Sequence, residues 1–503
     1  MKKLLLILLL LSSGLSAQNN FISDSLDKYI NREMQKWQIP GLAIAIVKDG
    51  KVVACKGYGV KKTGKAEKVD ENTLFQIASN SKAFTGTSLA LLAYQKKLSL
   101  DDKVTKWLPY FKLYDSLATR DVTVRDLLCH RLGYMAFQSD FVNWNSSLTR
   151  KEIIVNMRNV KPVYPFRYKY GYCNAAFLTA GEIIPMACDT SWDDYVTAHF
   201  FKPLNMQRSS TRQKFILSDA NAAFPHTLVD DKLVLISHAN VDNLGPAGSI
   251  NSSVKDMSNW LIMQLDSGRF EGKQIIPFEV IRETRSNQMA IARRYNPLFP
   301  SNHFNAYGLG WFLKDLYGKI LVEHTGGANG FVTSVCLVPE EKLGVVVLTN
   351  TDMNEFFRAL NEQIVDAYLN PNYRNLSAIY LADFKTQSAE QNAEIKSWRE
   401  KAAAKPKSSL PLKNYTGRFN NVVYGDITIT QEKEILKADL SHHPGTTAKL
   451  EPLGENKFLC TYSDVTLGVK EIFFTVENGT VKSITISVSD FVDYMPYEFG
   501  KKN

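Results

Sequence analysis

The sequence predicts an α+β protein that is followed by a smaller, separate all-β domain. Strand-like segments occur near residues 42–60 and 320–348, whereas residues 100–300 between them are typical of helices and loops rich in aromatic side chains. Alternation of apolar and polar residues dominates beyond residue 408, for example at 426–430. A chain of 503 residues can bury a sizeable core and form one large and one small domain.

The N-terminal part of the chain predicts a helix followed by a hairpin. Residues 23–37 carry apolar side chains at helical spacing, and Ser23 or Asp24 can cap that helix. Residues 42–47 and 51–60 flank an Asp-Gly pair, which is typical of the turn in a β-hairpin. The remaining predicted elements are a long helix over about 79–97, strands at 320–324, 331–338 and 344–348, and a closing helix over 353–368.

The first 17 residues predict a secretory signal peptide. Lys2 and Lys3 precede an apolar run at 4–11, and small residues ending at Ala17 suit cleavage there. This apolar run is too short to span a bilayer. We therefore expect an exported protein, periplasmic or secreted, whose mature chain has no membrane span.

Composition divides the rest of the chain into three parts. Residues 18–370 are predicted to form the main domain, and residues 409–503 a small all-β domain. Between them, residues 371–408 are rich in Asn, Ser, Gln, Glu, Ala and Lys, which predicts a partly helical linker.

Charge and cysteine content exclude several classes of function. The 60 Lys and Arg residues outnumber the 51 Asp and Glu residues, but they are scattered, so we expect no nucleic-acid partner. The six cysteines form no C-x-x-C pair and predict neither a disulfide framework nor a metal cluster. We expect most of them to be small buried residues; their pairing and the oligomeric state stay open.

The first candidate motif is S-x-x-K at Ser79 and Lys82. The pattern also occurs at Ser25 and Ser252, but only Ser79 follows an extended apolar stretch and opens a long helix. Residues three apart on a helix share a face, so the Lys82 amine can lie beside the Ser79 hydroxyl. A lysine kept neutral by desolvation can take the serine proton and activate the hydroxyl as a nucleophile. A capping serine with a surface lysine is the alternative interpretation.

The second candidate motif is Tyr172-Cys173-Asn174. Tyr-x-Asn also occurs at residues 29, 368 and 373, so the pattern alone is weak. A tyrosine near a lysine can relay the proton of a nucleophile to a leaving group. The amide of Asn174 can orient that lysine and hold a substrate carbonyl. The alternative is an ordinary loop that precedes a helix.

The third candidate motif is His324-Thr325-Gly326-Gly327, at the end of a predicted strand. Glycines let a substrate backbone approach the strand, and a backbone N–H there can point at an oxyanion. A literal Lys62-Thr63-Gly64 lies in a charged turn upstream of Ser79, and we interpret it as a solvated loop.

These three motifs, in this order, resemble the serine hydrolases of the class C β-lactamase and penicillin-binding protein superfamily, which includes esterases and D-amino-acid peptidases. The resemblance covers about residues 24–370. It includes the segments 73–79, 122–130, 203–206, 245–248 and 324–330. The opening of the tail, at 415–419, is similar to a small β-barrel domain often appended to such hydrolases.

The resemblance implies a β-lactamase/transpeptidase-like antiparallel sheet flanked by helices and joined to a mostly helical subdomain. It implies a Ser79 acyl-enzyme, without metal or organic cofactor, on a small-molecule or peptide substrate. An oxyanion hole would be formed by the N–H groups of Ser79 and Gly327. The implied residues are Ser79, Lys82 and Tyr172 for catalysis, and Asn174, His324, Thr325, Gly326 and Gly327 for substrate or oxyanion binding.

One departure from the family pattern bears on the substrate. β-Lactamases and penicillin-binding enzymes usually carry Lys where this chain has His324, and a neutral histidine offers no permanent cation to a substrate carboxylate. An ester, an amide or a D-amino-acid peptide is therefore as well supported as a β-lactam, and a cell-wall fragment is among the candidates.

Two alternative functions remain from the sequence. One is a non-hydrolytic protein on the same fold that binds peptidoglycan fragments or β-lactams. The other is a partner- or glycan-binding role for the C-terminal domain, with the hydrolase as its scaffold. The presence of Ser79, Lys82, Tyr172 and Asn174 together favours the enzyme.

Overall fold

The computed structural model describes residues 21–293, 295–370 and 373–502. The predicted signal peptide, residues 1–17, lies outside the described residues. Within them, no helix is both long and apolar enough to cross a membrane. The first helix begins after a short π-helical turn, and its N-cap position is Ser25, whose side chain makes no capping hydrogen bond. The predicted cap at Ser23 or Asp24 is therefore wrong.

The strands before residue 350 form one main sheet and several short pairs. In chain order they are β1 Gly41–Lys48, β2 Lys51–Gly59, β3 Phe75–Gln76, β4 His226–Val229, β5 Lys232–Leu235, β6 Asn251–Ser252, β7 Arg269–Phe270, β8 Lys273–Gln274, β9 Met289–Ile291, β10 Asn305–Tyr307, β11 Phe312–Leu316, β12 Lys319–Ala328, β13 Phe331–Val338 and β14 Leu343–Thr349. Among the described residues, eight of them build an antiparallel sheet in the order β2-β1-β14-β13-β12-β11-β10-β9.

The helices surround this sheet. They are α1 Leu26–Lys36, α2 Ser81–Tyr94, α3 Val104–Trp107, α4 Ser116–Asp121, α5 Val124–Leu128, α6 Asp140–Asn143, α7 Arg150–Asn156, α8 Asn174–Gly181, α9 Ile184–Cys188, α10 Trp192–Val196, α11 Gln213–Leu217, α12 Gly245–Gly248, α13 Val254–Leu265, α14 Phe278–Thr284, α15 Phe356–Leu369 and α16 Leu376–Ala403. With the sheet they confirm the predicted α+β class.

Both faces of the sheet are covered, which explains the continuous apolar run at 42–47. Alternate residues of β1 belong to two different cores, with Leu42 and Ile44 on the face of α1 and α15 and Ala43 and Ala45 on the opposite face. The second core contains α2, whose residues are buried from Ser81 onward for three turns. A helix that is buried on all sides in this way belongs to the interior of the domain.

The segment predicted as a partly helical linker contains one long helix, α16. Most of its side chains are exposed, and its first turn is fixed by a 2.9 Å hydrogen bond from Trp37 Nε1 to Ser377 Oγ. Near its other end, Arg399 pairs with Asp230 in the turn between β4 and β5. The helix therefore lies along the main domain before the chain enters the tail.

In residues 417–501, all of them described, eight strands close an antiparallel barrel. They are β15 Gly417–Asn421, β16 Gly425–Glu432, β17 Ile435–Leu440, β18 Thr447–Gly454, β19 Lys457–Tyr462, β20 Val469–Glu477, β21 Thr480–Ile486 and β22 Tyr497–Lys501. The pair Asn478-Gly479 joins β20 and β21, and both residues have positive φ, at 48° and 72°. Such a pair suits the tight turn of a hairpin.

The barrel is docked onto the segment of the main domain around α6. Phe141 lies among the apolar side chains of the barrel and stacks against Tyr424 and His443, with ring centroids 5.0 and 5.3 Å apart. His443 is buried there, and its Nε2 lies 3.1 Å from the carbonyl of Trp144. The barrel thereby holds the chain segment that leads to the candidate site.

Candidate active site

The candidate nucleophile lies on a strained turn between β3 and α2. Ser79 belongs to the 3₁₀ turn Ala78–Asn80, and Ala78 has a φ of +48°. This left-handed conformation costs a residue with a Cβ atom roughly 1–2 kcal/mol, so the surroundings must hold it. Asn80 Nδ2 does so by donating to Thr333 Oγ1 at 2.8 Å. Ser79 is left partly exposed at the start of the helix.

Lys82 lies beneath Ser79 and is fully buried. Its Nζ is 3.0 Å from Ser79 Oγ, 2.6 Å from Asn174 Oδ1 and 2.8 Å from the carbonyl oxygen of Ala247. Burial lowers the pKa of Lys82 to about 7, although a negative charge on Asp140 would act in the opposite direction. A large fraction of the amine is therefore neutral near pH 7 and able to accept a proton.

Tyr172 lies on the other side of the lysine, whose Nζ is 4.6 Å from the centre of its ring. Burial raises the pKa of Tyr172 far above its usual range, although a side-chain hydrogen bond with Ser79 acts in the opposite direction. The backbone N–H of the next residue, Cys173, donates to Nδ1 of His130 at 3.0 Å and so fixes this segment. Tyr172 is a neutral phenol within hydrogen-bonding reach of the serine.

His324 on β12 is buried and uncharged. Its Nε2 lies 2.9 Å from the hydroxyl of Tyr307, and its Nδ1 lies 2.6 Å from the carbonyl of Thr325. Since a carbonyl can only accept, Nδ1 carries the proton and Nε2 accepts from Tyr307. Burial and the nearby charge of Lys82 lower the pKa of His324 to about 3. The histidine therefore offers no cation near neutral pH.

The two glycines that follow on β12 have different neighbours. A Cβ atom at Gly326 would lie 2.2 Å from the carbonyl oxygen of Ile77 and 2.5 Å from Thr333 Oγ1, so only glycine lets the strand approach the nucleophile turn. We expected a substrate backbone as the close neighbour, and for Gly326 it is the protein itself. A Cβ atom at Gly327 would lie 3.3 Å from the ring of Phe491 in the barrel.

These residues border a cavity of about 430 Å³. From the main domain it is lined by predicted site residues, namely Ser79, Tyr172, Asn174, His324, Thr325 and Gly327. From the barrel it is lined by the loop between β21 and β22, through Asp490, Phe491, Val492 and Tyr494. Lys82 lies under this cavity and Gly326 behind its wall, so the structure brings all eight predicted residues together.

A second cavity, of about 370 Å³, adjoins the first. The two share Phe312, His324, Thr325 and Arg358 in their linings. The second one is also lined by a half-buried ion pair, in which Lys314 lies 2.9 Å from Glu323. Together the two cavities offer room for a substrate that extends past Thr325.

Sequence reasoning missed the carbonyl of Ala247 and the whole contribution of the barrel. The segment 245–248 is one of those that carry the family resemblance. The resemblance therefore marks Ala247 as part of a family motif, but it does not predict the contact of its carbonyl with Lys82. No local pattern connects the loop at 487–496 to Ser79, since the two are separated by about 400 residues and meet only through domain docking.

Within residues 21–293, 295–370 and 373–502, no three His, Cys, Asp or Glu side chains are grouped so that they could hold a metal ion. The six cysteines are free thiols, and four are buried, namely Cys129, Cys173, Cys336 and Cys460.

The chain is similar to known proteins over nearly its whole length. Residues 26–369 match the model of the β-lactamase family, and residues 401–501 match a domain of unknown function, DUF3471. Protein flp of Staphylococcus aureus (strain N315) is 28% identical over 374 residues, which cover 73% of this chain and 71% of flp. Unguisins hydrolase ungD' of Aspergillus campestris is 26% identical over 82% of this chain and 78% of its own.

A solved structure shares the fold. The octameric penicillin-binding protein homologue from Pyrococcus abyssi superposes with a TM-score of 0.62 at 22% identity, covering 94% of this chain and 99% of that one. This likeness confirms the predicted sheet-and-helix fold with its small C-terminal β-domain. With a family match that extends over most of its length, the chain belongs to the β-lactamase family.

Proposed function

We propose that this protein is an exported serine hydrolase that works through an acyl-enzyme on Ser79. The observation that carries the proposal is the buried amine of Lys82, 3.0 Å from Ser79 Oγ and with its pKa lowered to about 7. A base of this strength beside a hydroxyl at a helix start is the arrangement that nucleophilic catalysis by serine requires. The name of the relative from Aspergillus, a hydrolase, supports the same class of reaction.

In the proposed acylation, Lys82 Nζ takes the proton of Ser79 Oγ as that oxygen forms a bond to the substrate carbonyl carbon. The carbonyl π electrons move to its oxygen, which the N–H groups of Ser79 and Gly327 would stabilise. When this intermediate collapses, the bond to the leaving group breaks and the leaving group takes the proton. Attack by water on the resulting ester then releases the acid and restores Ser79.

Tyr172 has a different role from Lys82 in this scheme. Because its pKa is raised, it is not a base near pH 7, but its neutral hydroxyl can donate one proton to the leaving group while receiving another from Lys82. Asn174 would hold Lys82 in place through the 2.6 Å contact to Nζ and, from the cavity wall, contact the substrate.

The uncharged state of His324 supports esters, amides or D-amino-acid peptides as substrates over β-lactams. A β-lactam carries a carboxylate, and a histidine whose Nδ1 and Nε2 are both engaged by Thr325 and Tyr307 supplies it with no positive charge. Thr325 lines the cavity and would still offer a hydroxyl to a substrate. Hydrolysis of β-lactams is thus a secondary expectation.

The proposal includes export and a division of the chain. Cleavage after Ala17 would leave a mature protein that begins at Gln18, with its hydrolase domain at 18–370, its linker at 371–408 and its β-barrel domain at 409–503. The barrel would then serve the hydrolase directly, since its loop lines the candidate site.

The proposal is tested by covalent labelling and by comparison of substrates. We expect a fluorophosphonate to form an adduct on Ser79, located by mass spectrometry, and short-chain p-nitrophenyl esters to be turned over faster than nitrocefin. Absence of an adduct on Ser79 would favour the non-hydrolytic binding protein. Nitrocefin turnover as fast as that of the esters would contradict the order of substrates.

Phe491 is expected to limit the size of the acyl group. Its ring covers the strand at Gly327, so Phe491→Ala should enlarge the cavity next to the reacting carbonyl. We expect kcat/KM for a p-nitrophenyl benzoate to rise about tenfold relative to that for the acetate, since one apolar group in a pocket is worth about 1–3 kcal/mol.

The matched control is Phe473→Ala, which removes an exposed ring from the outside of the same barrel. It should leave the ratio of the two kcat/KM values unchanged. If Phe491→Ala lowered both values equally, its ring would support the loop rather than select the substrate.

A further inference from the structure

A line of buried polar groups runs from Lys82 towards the barrel. Lys82 Nζ donates to Asn174 Oδ1, and Asn174 Nδ2 donates to Asp140 Oδ2, with both distances 2.6 Å. Asp140 is the first residue of α6 and is only 3% exposed. The amide of Asn174 therefore connects the candidate base to a buried carboxyl group.

A second buried carboxyl group comes from the barrel and holds the backbone around Asp140. Asp493 Oδ2 accepts hydrogen bonds from the N–H of Phe141 at 3.2 Å and from the hydroxyl of Tyr497 at 2.5 Å. The same hydroxyl accepts from the N–H of Ser139 at 3.0 Å. The residues before and after Asp140 are thus both bound to the barrel, and Asp493 is 1% exposed.

Two buried carboxyl groups that act on each other cannot both ionise at low cost. Burial and the charge of Asp493 raise the pKa of Asp140 well above its usual range. Burial raises the pKa of Asp493 only to about 6, because Tyr497 and backbone N–H groups stabilise its charge. The hydrogen bonds from Phe141 and Tyr497 therefore favour the negative charge of the pair on Asp493 rather than on Asp140.

We propose that Asp493 and Asp140 are positioning residues through which the barrel keeps Lys82 an uncharged base. If Asp140 were ionised, it would stabilise the ammonium form of Lys82 through Asn174, and the amine could no longer take the serine proton. The charge on Asp493 prevents this by holding the proton on Asp140. The inference rests on the proposed role of Lys82 and adds a function for the C-terminal domain.

Burial shifts the pKa values of the other buried titratable groups near Lys82 and the two carboxyls away from neutral pH. Burial lowers the pKa values of His130 and His324, and raises those of Tyr172, Cys173 and Tyr497. Arg358 and Asp490 also line the cavity, and Asp490 pairs with Lys470 at 3.0 Å. Asp493 is therefore the group whose removal should alter the titration of Lys82.

The test measures the rate at which a fluorophosphonate labels Ser79 as a function of pH. For the wild-type protein we expect the rate to rise with a midpoint near pH 7, as Lys82 loses its proton. Asp493→Asn should move that midpoint up by about one pH unit or more, which lowers labelling at pH 7 about fivefold or more but leaves the plateau at high pH. Asp439→Asn, which removes an exposed carboxylate from the same barrel, should leave the midpoint unchanged.

A double variant shows whether the shift in the midpoint depends on Asp140 or comes from a general structural change in the barrel. Asp140→Asn removes the group that Asp493 is proposed to control, so adding Asp493→Asn to it should shift the midpoint no further. A wild-type midpoint in Asp493→Asn, or a full shift in the double variant, would overturn the inference.

Two other outcomes must be told apart from failure of the inference: a variant that does not fold, and a proposed function that is itself wrong. If the melting curve shows that Asp493→Asn does not fold, Tyr497→Phe replaces it in the test. Because Tyr497→Phe removes only one hydrogen bond to Asp493, we expect a smaller shift of the midpoint in the same direction. Absence of a shift in Tyr497→Phe would also overturn the inference. A wild-type protein that is not labelled on Ser79 refutes the proposed function. A labelled wild type with an unshifted Asp493→Asn refutes only the coupling to the barrel.

Discussion

Ser79→Ala is expected to lower the turnover of p-nitrophenyl esters by about 10³-fold or more and to abolish the fluorophosphonate adduct. Without Oγ, no covalent bond to the substrate can form, and the amine of Lys82, which lies 3.0 Å from that atom, has no proton to take. Whatever activity remains would come from binding the substrate against the oxyanion donors. Steady-state rates and the mass of the treated protein measure the effect.

The control for this variant is Ser25→Ala, in another S-x-x-K of the same chain. Ser25 is exposed, makes no capping hydrogen bond, and should be replaceable without loss of rate. Ser81, two residues after Ser79, is unsuitable as a control, because its Oγ donates to the carbonyl of Ala78 and accepts from the N–H of Ile250, and so supports the turn itself. A Ser79→Ala protein that kept its turnover would place the nucleophile elsewhere.

The sequence predicts those parts of the fold that depend on neighbours in the chain. The hairpin around Asp49 follows from an Asp-Gly pair between two apolar runs, and it forms as β1 and β2 with that pair at the turn. The boundaries of α2 and the continuous helix α16 were less well predicted. The end of α2 depends on where its buried face stops, and α16 is held by distant contacts such as Trp37 to Ser377.

The residues of the candidate site also differ in how far the sequence predicts them. Ser79 and Lys82 are three residues apart, so helical geometry alone predicts their contact. The places of Tyr172 and His324 came from the resemblance to a family, since their spacing carries no geometric information. Asp493 could not be found in either way, because its contact with the segment around Asp140 exists only after the barrel docks, and neither carboxyl has a pattern around it.

Lys82→Met is expected to lower the turnover of p-nitrophenyl esters about as much as Ser79→Ala does, roughly 10³-fold, because the two residues act as one unit. Methionine fills nearly the same space but can neither take the serine proton nor donate to Asn174 and Ala247. The variant should also lose the rise of rate around pH 7. Lys28→Met, in the exposed S-x-x-K of α1, should keep both the rate and its pH profile.

The pH dependence of the free energy of unfolding, compared between the wild type and Lys82→Met, tests without any substrate whether Lys82 is neutral in the folded protein. Burial lowers the pKa of Lys82 from its ordinary value of 10.5 to about 7, so between these values the unfolded chain holds a proton that the folded chain lacks. The free energy of unfolding of the wild type should therefore rise relative to that of Lys82→Met by about 1.4 kcal/mol per pH unit from pH 7 to 10. Denaturant titrations of both proteins across that range measure the difference. A constant difference would mean that Lys82 is still protonated when folded, and an ammonium group cannot serve as the base for Ser79.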